Sequence, residues 1–330
     1  MPRILILLFT MTITCVAHAE ATMDTVYQLK GSVAKVHSIT NAGGHGVGSA
    51  VVVAENLVAT NCHVLANTAG INITAMGETY VPIAVKEDWR HDVCILRFMY
   101  LPLKPVVLGD EKNLEYEQSL FTVGFPGGPP KPQSTFGKVK ALYPLDDGYI
   151  IRTSASFVLG ASGSPIMDDE GRLVGLDTFK SPGRNSYFYG VPVKWIKALL
   201  DAPEHEKVLQ AGVPFWDAPE EQMPFFMRIV LPLQNDDWAK LKQTAEEWLK
   251  QEPSNVEAEY YIALAQQHLG DLATAESIYH KILVQNPKHT SSLIGLADIA
   301  RQQGRESERQ LLAMQVKALD EDAAESMSPQ

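Results

Sequence analysis

Two hydrophobic rhythms divide the chain. From Val26 to about Trp195, short apolar runs recur between clusters of turn residues. Val33-Ala34-Lys35-Val36-His37-Ser38-Ile39 alternates, as a strand with one buried face does, whereas Gly48-Ser49-Ala50-Val51-Val52-Val53 is a continuous run of the fully buried kind. Ile71 to Thr74, Val93 to Leu96, Leu120 to Val123 and Arg172 to Leu176 continue the series. Strands at this spacing, with no long helical stretch between them, predict an antiparallel sandwich or closed barrel, and roughly 180 residues suffice for two small barrels packed together. Past residue 235 the period lengthens to that of helices, and a spacing of 34 appears, from Pro253 to Pro287 and from Gly270 to Gly304. This predicts helical repeats over 236–318, opened by a lone helix from Asp237 to Lys250 and amounting to about two and a half units. Between the two rhythms, residues 201–235 carry prolines at 203, 214, 219, 224 and 232, a density that predicts a connector without regular helix. Its aromatics, Phe215, Trp216, Phe225 and Phe226, are expected to dock it onto a flanking domain rather than to bind a ligand. The acidic stretch 319–330 is expected to be a disordered tail.

The first 19 residues follow neither rhythm. Arg3, an apolar stretch from Ile4 to about Val16, and the small-x-small triplet Ala17-His18-Ala19 read as an export signal, 1–19, cleaved near Ala19. The stretch falls short of the ~20 residues that span a bilayer, so no stable membrane anchor is expected. Hydrophobic residues at 45% and charged residues at 20% describe a globular protein, and a formal charge of −11 argues against a nucleic-acid partner. Two cysteines, Cys62 and Cys94, would remain in a periplasmic or secreted chain. One disulfide is open to them, but their apolar, strand-like surroundings favour two buried thiols. With no C-x-x-C or H-E-x-x-H spacing, neither metal nor cofactor is expected.

The chemistry gathers around Val158-Leu159-Gly160-Ala161-Ser162-Gly163-Ser164-Pro165-Ile166. A serine hydroxyl is a poor nucleophile unless a base takes its proton and N–H groups hold the developing oxyanion. Gly160 can adopt backbone angles that aim its N–H and that of Ser162 at one point. Upstream, His63 follows the run Leu57 to Thr60, and Asp92 opens the run Val93 to Leu96. Histidine titrates near neutrality and can shuttle the serine proton; a carboxylate on its other ring nitrogen would fix the tautomer. His37, His45 and His91 are given ordinary structural roles.

Gly46 to Val53, then Ala59 to Val64, then His91-Asp92-Val93-Cys94-Ile95-Leu96, then Gly160 to Pro165 resemble the trypsin-like serine proteases, most of all their HtrA-type branch, with some likeness to glutamyl endopeptidases. The resemblance covers Val26 to Leu200. It implies an all-β double β-barrel over 20–200 with its site between the barrels, in a multidomain chain. By motif position, His63 is general base and acid, Asp92 its orienter and Ser162 the nucleophile, with an oxyanion hole at Gly160 and Ser162. Thr178, Tyr187, Phe188 and Tyr189 fall where that family places its pocket wall and substrate-pairing edge, implying a polypeptide substrate. Ser164 stands where the commoner motif has a second glycine, and Ala161 where it has Asn or Asp. Nothing after Leu200 resembles the PDZ domains of the HtrA branch. Instead Tyr260, Ala263, Gly270-Asp271, Ala275, Tyr279 and Pro287 resemble a tetratricopeptide repeat, which implies an all-α domain with a groove for a protein partner or, equally, a helical cap on the barrels. The rival reading is a catalytically silent protease fold serving as a peptide-binding or adaptor module.

Overall fold

The computed structural model describes residues 21–183, 186–208, 212–325 and 327. The export segment and its cleavage point near Ala19 lie outside the described residues. Strands β1 (Val33–Thr40), β2 (His45–Ala54), β3 (Leu57–Thr60), β4 (Thr68–Ala75), β5 (Glu78–Tyr80), β6 (Ala84–Asp88) and β7 (Val93–Arg97) form one antiparallel sheet in the order β5-β4-β1-β2-β3-β7-β6. β2 lies between β1 and β3 and is covered on both faces, which is why its sequence is a continuous apolar run while β1 alternates.

β8 (Ser119–Gly124), β9 (Gln133–Leu145), β10 (Gly148–Thr153), β11 (Pro165–Asp168), β12 (Leu173–Lys180) and β13 (Phe188–Pro192) close into a six-stranded barrel, ordered β10-β13-β12-β11-β8-β9. Asp146 and Asp147, both at positive φ (43° and 66°), make the two-residue turn that joins β9 to β10. Two barrel-like sheets are therefore present, one closed and one open.

The helices are α1 (Met23–Leu29), α2 (Val193–Leu200), α3 (Phe225–Arg228), α4 (Val230–Gln234), α5 (Trp238–Gln251), α6 (Val256–His268), α7 (Leu272–Gln285), α8 (Thr290–Gln302), α9 (Glu306–Leu319) and α10 (Glu321–Glu325). The 34-residue spacing has a local cause, because Gly270 and Gly304 sit just past the ends of α6 and α8 at φ of 91° and 71°, where other residues would be strained.

Four expectations are corrected. Val26 lies in α1, capped by the Thr22 hydroxyl, and not in a strand. The connector is partly helical: Pro214, Pro219 and Pro224 each occupy the cap position before a short turn or helix, where a missing N–H costs nothing. The acidic stretch is ordered through α10, with Asp320 buried against Lys140. Finally, Cys62 and Cys94 are joined, their Cα atoms 4.9 Å apart. β3 and β7 pair with Thr60 opposite Cys94, so the apolar setting that buries both sulfurs also brings them together.

The largest core lies outside the closed barrel. Tyr143, Tyr189 and Trp195 on the barrel side pack with Phe215, Phe225 and Phe226 of the connector and Trp248, Ala258 and Tyr261 of α5 and α6 as one cluster. Separate, smaller clusters fill the open sheet around Val52, Leu65 and Ile73 and the barrel interior around Leu120, Ile151 and Ile166.

Candidate active site

β3 ends at Thr60 and hands the chain to a 3-10 turn, Cys62–Leu65, that carries His63. Asn61 anchors the turn from within, its buried Nδ2 donating to the carbonyl of Asp92 (2.9 Å) and to the Thr178 hydroxyl (3.0 Å). The disulfide ties the same turn to β7. Asp92 sits at the head of β7 in the left-handed region, φ 58°, a conformation aspartate tolerates better than most residues. Its side chain is completely buried.

The Asp92 carboxylate gathers three donors. Oδ1 accepts the His63 backbone N–H at 2.8 Å, and Oδ2 accepts His63 Nδ1–H at 2.6 Å and the Trp216 indole N–H at 3.1 Å. A carboxylate only accepts, so the ring proton of His63 belongs on Nδ1 and Nε2 keeps its lone pair.

The loop carrying Ser162 is bonded to both sheets. From the open sheet, the Ser49 N–H donates to Ser162 O at 2.8 Å and the Ser49 hydroxyl to Gly160 O at 2.8 Å. From the barrel, Asp177 O accepts the Gly163 N–H and the Asp177 N–H donates to Ser164 O, both at 2.8 Å. Gly163 is at φ 86°, and a Cβ there would stand 2.1 Å from Ser49 O and 2.6 Å from the Thr60 hydroxyl, so only glycine lets the loop lie this close to the strand that leads to His63. Likewise, a Cβ on Gly48 would meet Val64 Cγ1 at 2.6 Å and Ser162 O at 3.3 Å. The residue after His63 and the carbonyl of Ser162 thus pack over one glycine.

Among the described residues, the N–H groups of Gly160 and Ser162 have no hydrogen-bond partner, although their neighbours Ala161, Gly163 and Ser164 all donate. Gly160, at φ 94°, leaves its N–H unspent, as a hole for an oxyanion requires. The Ser162 hydroxyl makes no hydrogen bond to His63. Such contacts are commonly long in a free enzyme and tighten on binding substrate.

The expected pocket residues are split. Thr178 and Tyr189 are buried: the Thr178 hydroxyl donates to Leu176 O, and the Tyr189 ring stacks on Phe179. Tyr187 lies over the Arg152 guanidinium, 4.9 Å from it. Phe188 alone of the four lines an open depression of about 580 Å³ beside the Ser162 loop, with Ser156, Phe157, Val158 and Lys180. Strand alternation, which the sequence pattern does show, puts the two neighbours on opposite faces of β13, Tyr189 under the connector and Phe188 at the depression. Trp216 and Asn61 are the site residues that sequence reasoning missed. Trp216 stood out only as an aromatic in a proline-rich segment, with no signal for what it would touch.

Residues 48–176 match the family described as trypsin-like peptidase domain. The probable periplasmic serine endoprotease DegP-like of Chlamydia trachomatis is 25% identical over 164 residues, which are 47% of this chain and 33% of the relative. Serine protease HTRA2, mitochondrial, of Bos taurus is 29% identical over 142 residues, 39% of this chain and 30% of the relative. The chain thus spans about a third of the length of the curated relatives it matches. In fold it is similar to the Rv3671c protease from M. tuberculosis in its active form, with a TM-score of 0.52 and 20% identity over 59% of this chain and 92% of that one. Over residues 48–176 this chain is therefore similar to the trypsin-like peptidase domain, and HtrA-type serine proteases are among the relatives it matches.

Proposed function

We propose that this chain is an exported serine endopeptidase that works through His63, Asp92 and Ser162. The observation that carries the reading is the fully buried carboxylate held on His63 Nδ1, beside a serine loop with two unspent N–H groups. Ser162 Oγ attacks the carbonyl carbon of a peptide bond while its proton passes to His63 Nε2. The N–H groups of Gly160 and Ser162 receive the oxyanion, each worth roughly 10² to 10³ in rate. As the C–N bond breaks, His63 returns the proton to the departing amine, leaving an ester on Ser162. Water, deprotonated by His63, then attacks that ester and releases the acid. Asp92, holding Nδ1–H, steadies the imidazolium. Export is supported by the first 19 residues, by the word periplasmic in a relative's name and by the disulfide, which belongs to an oxidising compartment. No described helix is long and apolar enough to cross a membrane.

A polypeptide is the partner this reading requires. In the helical repeats, α6 and the start of α8 face the barrel, which favours a brace on it over a free groove. A fluorophosphonate probe tests the chemistry without knowledge of substrate. The protein should be labelled, and Ser162→Ala should abolish labelling and lower any peptidase kcat on the order of 10⁶-fold, the loss seen when a serine nucleophile is deleted, with an unchanged melting temperature. Failure of the unaltered protein to label would move it to the silent adaptor reading.

A further inference from the structure

Trp216 belongs to the connector, in the 3-10 turn Phe215–Asp217, yet its indole N–H donates to Asp92 Oδ2, the oxygen that also holds His63 Nδ1–H. Its ring meets the His63 ring edge-on at 5.4 Å and stacks on Phe179 at 5.6 Å. We propose that Trp216 is a positioning residue for the proton relay: its N–H fixes the plane of the Asp92 carboxylate, and its ring walls the side of His63. The inference rests on the catalytic reading of His63, Asp92 and Ser162 and deepens it.

A carboxylate rotates about its Cβ–Cγ bond unless both oxygens are held. Oδ1 is held by a backbone N–H, but on Oδ2 the indole is the donor that does not itself take part in the relay. Without it, Oδ2 would answer only to His63, the group it is meant to orient. Because Asp92 is wholly buried, no water replaces a missing donor cheaply, and each contact counts for more than it would in solvent. His63, by contrast, is 28% exposed and has room to swing, so a wall on one side of the ring restricts it.

The seat of Trp216 is firm. Phe215 donates its N–H to Arg90 O at 3.0 Å, two residues before Asp92, and its buried ring packs against Phe179, Trp195 and Phe226. The connector is therefore fastened to the turn that carries the acid. The site is complete only when the connector is docked, so whatever loosens the connector should slow the chemistry without touching the three catalytic side chains.

The test removes the N–H and keeps the ring. Trp216 also lines an apolar cavity of about 320 Å³ with Met223 and Met227, so truncation to alanine would mix two effects, whereas Trp216→Phe preserves most of that wall. Trp216→Phe should lower the fluorophosphonate labelling rate and peptidase kcat about tenfold, the range for a hydrogen bond to a charged group, with KM within twofold. By NMR, the far-downfield proton of His63 Nδ1–H should move further downfield, as Asp92 concentrates its acceptor strength on one partner. If Phe unsettles the connector, 3-benzothienylalanine at 216, the same bicycle with sulfur for N–H, makes the same comparison. An unchanged proton resonance with unchanged labelling, or a loss confined to KM, overturns the proposal. The resonance needs no turnover, so it separates failure of this inference from failure of the enzymatic reading.

Discussion

Asp177 lies directly beneath the loop that carries Ser162, and its backbone supplies two of the bonds that hold that loop. Its side chain is fully buried with no charged partner among the described residues, and burial pushes its pKa well above the carboxylate range, against a smaller lowering by the Thr122 hydroxyl. The group therefore binds its proton more tightly folded than unfolded, and stability must fall as pH rises from the unfolded carboxyl range through the folded pKa. Asp177→Asn should remove that decline, with a slope of up to about 1.4 kcal/mol per pH unit, measured as the difference between the two proteins in urea stability from pH 4 to 9. Parallel pH profiles would show that Asp177 is ionised and paired after all. A buried, unpaired acid is the sort of residue that sequence hides: within Asp177-Thr178-Phe179-Lys180 it reads as a polar position on a pocket wall. His63, Asp92 and Ser162 were legible because each stands in a run whose neighbours are dictated by backbone packing, the small residues around Ser162 above all. Ser164 shows the limit of such motifs. Its buried hydroxyl fits where a glycine is commoner because a Cβ on Gly124, at the end of the neighbouring strand β8, would lie 1.8 Å from it, and Gly124 has none. That compensation sits forty residues away.

Between elements, the decisive contact is β10 against α6. Arg152 of β10 donates to the hydroxyls of Tyr143 and Tyr261 and to Lys140 O, and stands 3.8 Å from Glu257 of α6. Glu257 in turn accepts from the Tyr116 hydroxyl at 2.6 Å and pairs with His289 Nε2 at 3.2 Å, just before α8. Burial pushes the Glu257 carboxyl up, but Arg152, His289 and Tyr116 together hold it below the usual carboxylate range. With a depressed folded pKa, its contribution is present above the unfolded carboxyl range, near 4.3, and is lost as pH falls towards the folded value. Glu257→Gln leaves Arg152 buried without its counter-charge and should cost about 3–5 kcal/mol at pH 7, with the deficit narrowing below pH 4. Denaturation followed by tryptophan fluorescence would detect it, and a cost under about 1 kcal/mol would show that the tyrosine hydroxyls and Lys140 O alone satisfy Arg152. The helices themselves could be read from the period of 34, since α6 and α8 end where glycines must stand. The short helices of the connector could not, because proline counts against a helix interior while here it sits at the helix starts. Nor could the partnership of α6 with β10, since an apolar face announces that it will be covered and not by what.

At the scale of the molecule, the connector and first helices complete the barrel's exterior. Phe226 stacks on Tyr143 at 4.5 Å and lies 5.7 Å from Tyr189, and Phe225 stacks on Trp248. An aromatic side chain buries about 150–250 Å², so removing Phe215, Trp216, Phe225 and Phe226 would uncover barrel surface well beyond the few hundred Å² of apolar patch that a monomer tolerates. A unit ending near residue 200, as sequence rhythm suggests, is therefore predicted to fold poorly alone. Two truncations separate the brace from a recruitment domain. A chain ending at residue 205 loses the connector, Trp216 and the helices α3 to α10. It should aggregate or melt more than about 10 °C lower, a few kcal/mol for a domain of this size, and label poorly with the fluorophosphonate. A chain ending at Gly304 loses α9, α10 and the Asp320–Lys140 pair but keeps the connector and Trp216; the apolar residues Leu312 and Val316 pack within the separate cluster around Tyr279 and Leu296, so it should keep its labelling rate within about twofold. Full labelling and an unchanged melting temperature in the shorter chain would mean that the barrels stand by themselves, and the helices would then be free for a partner.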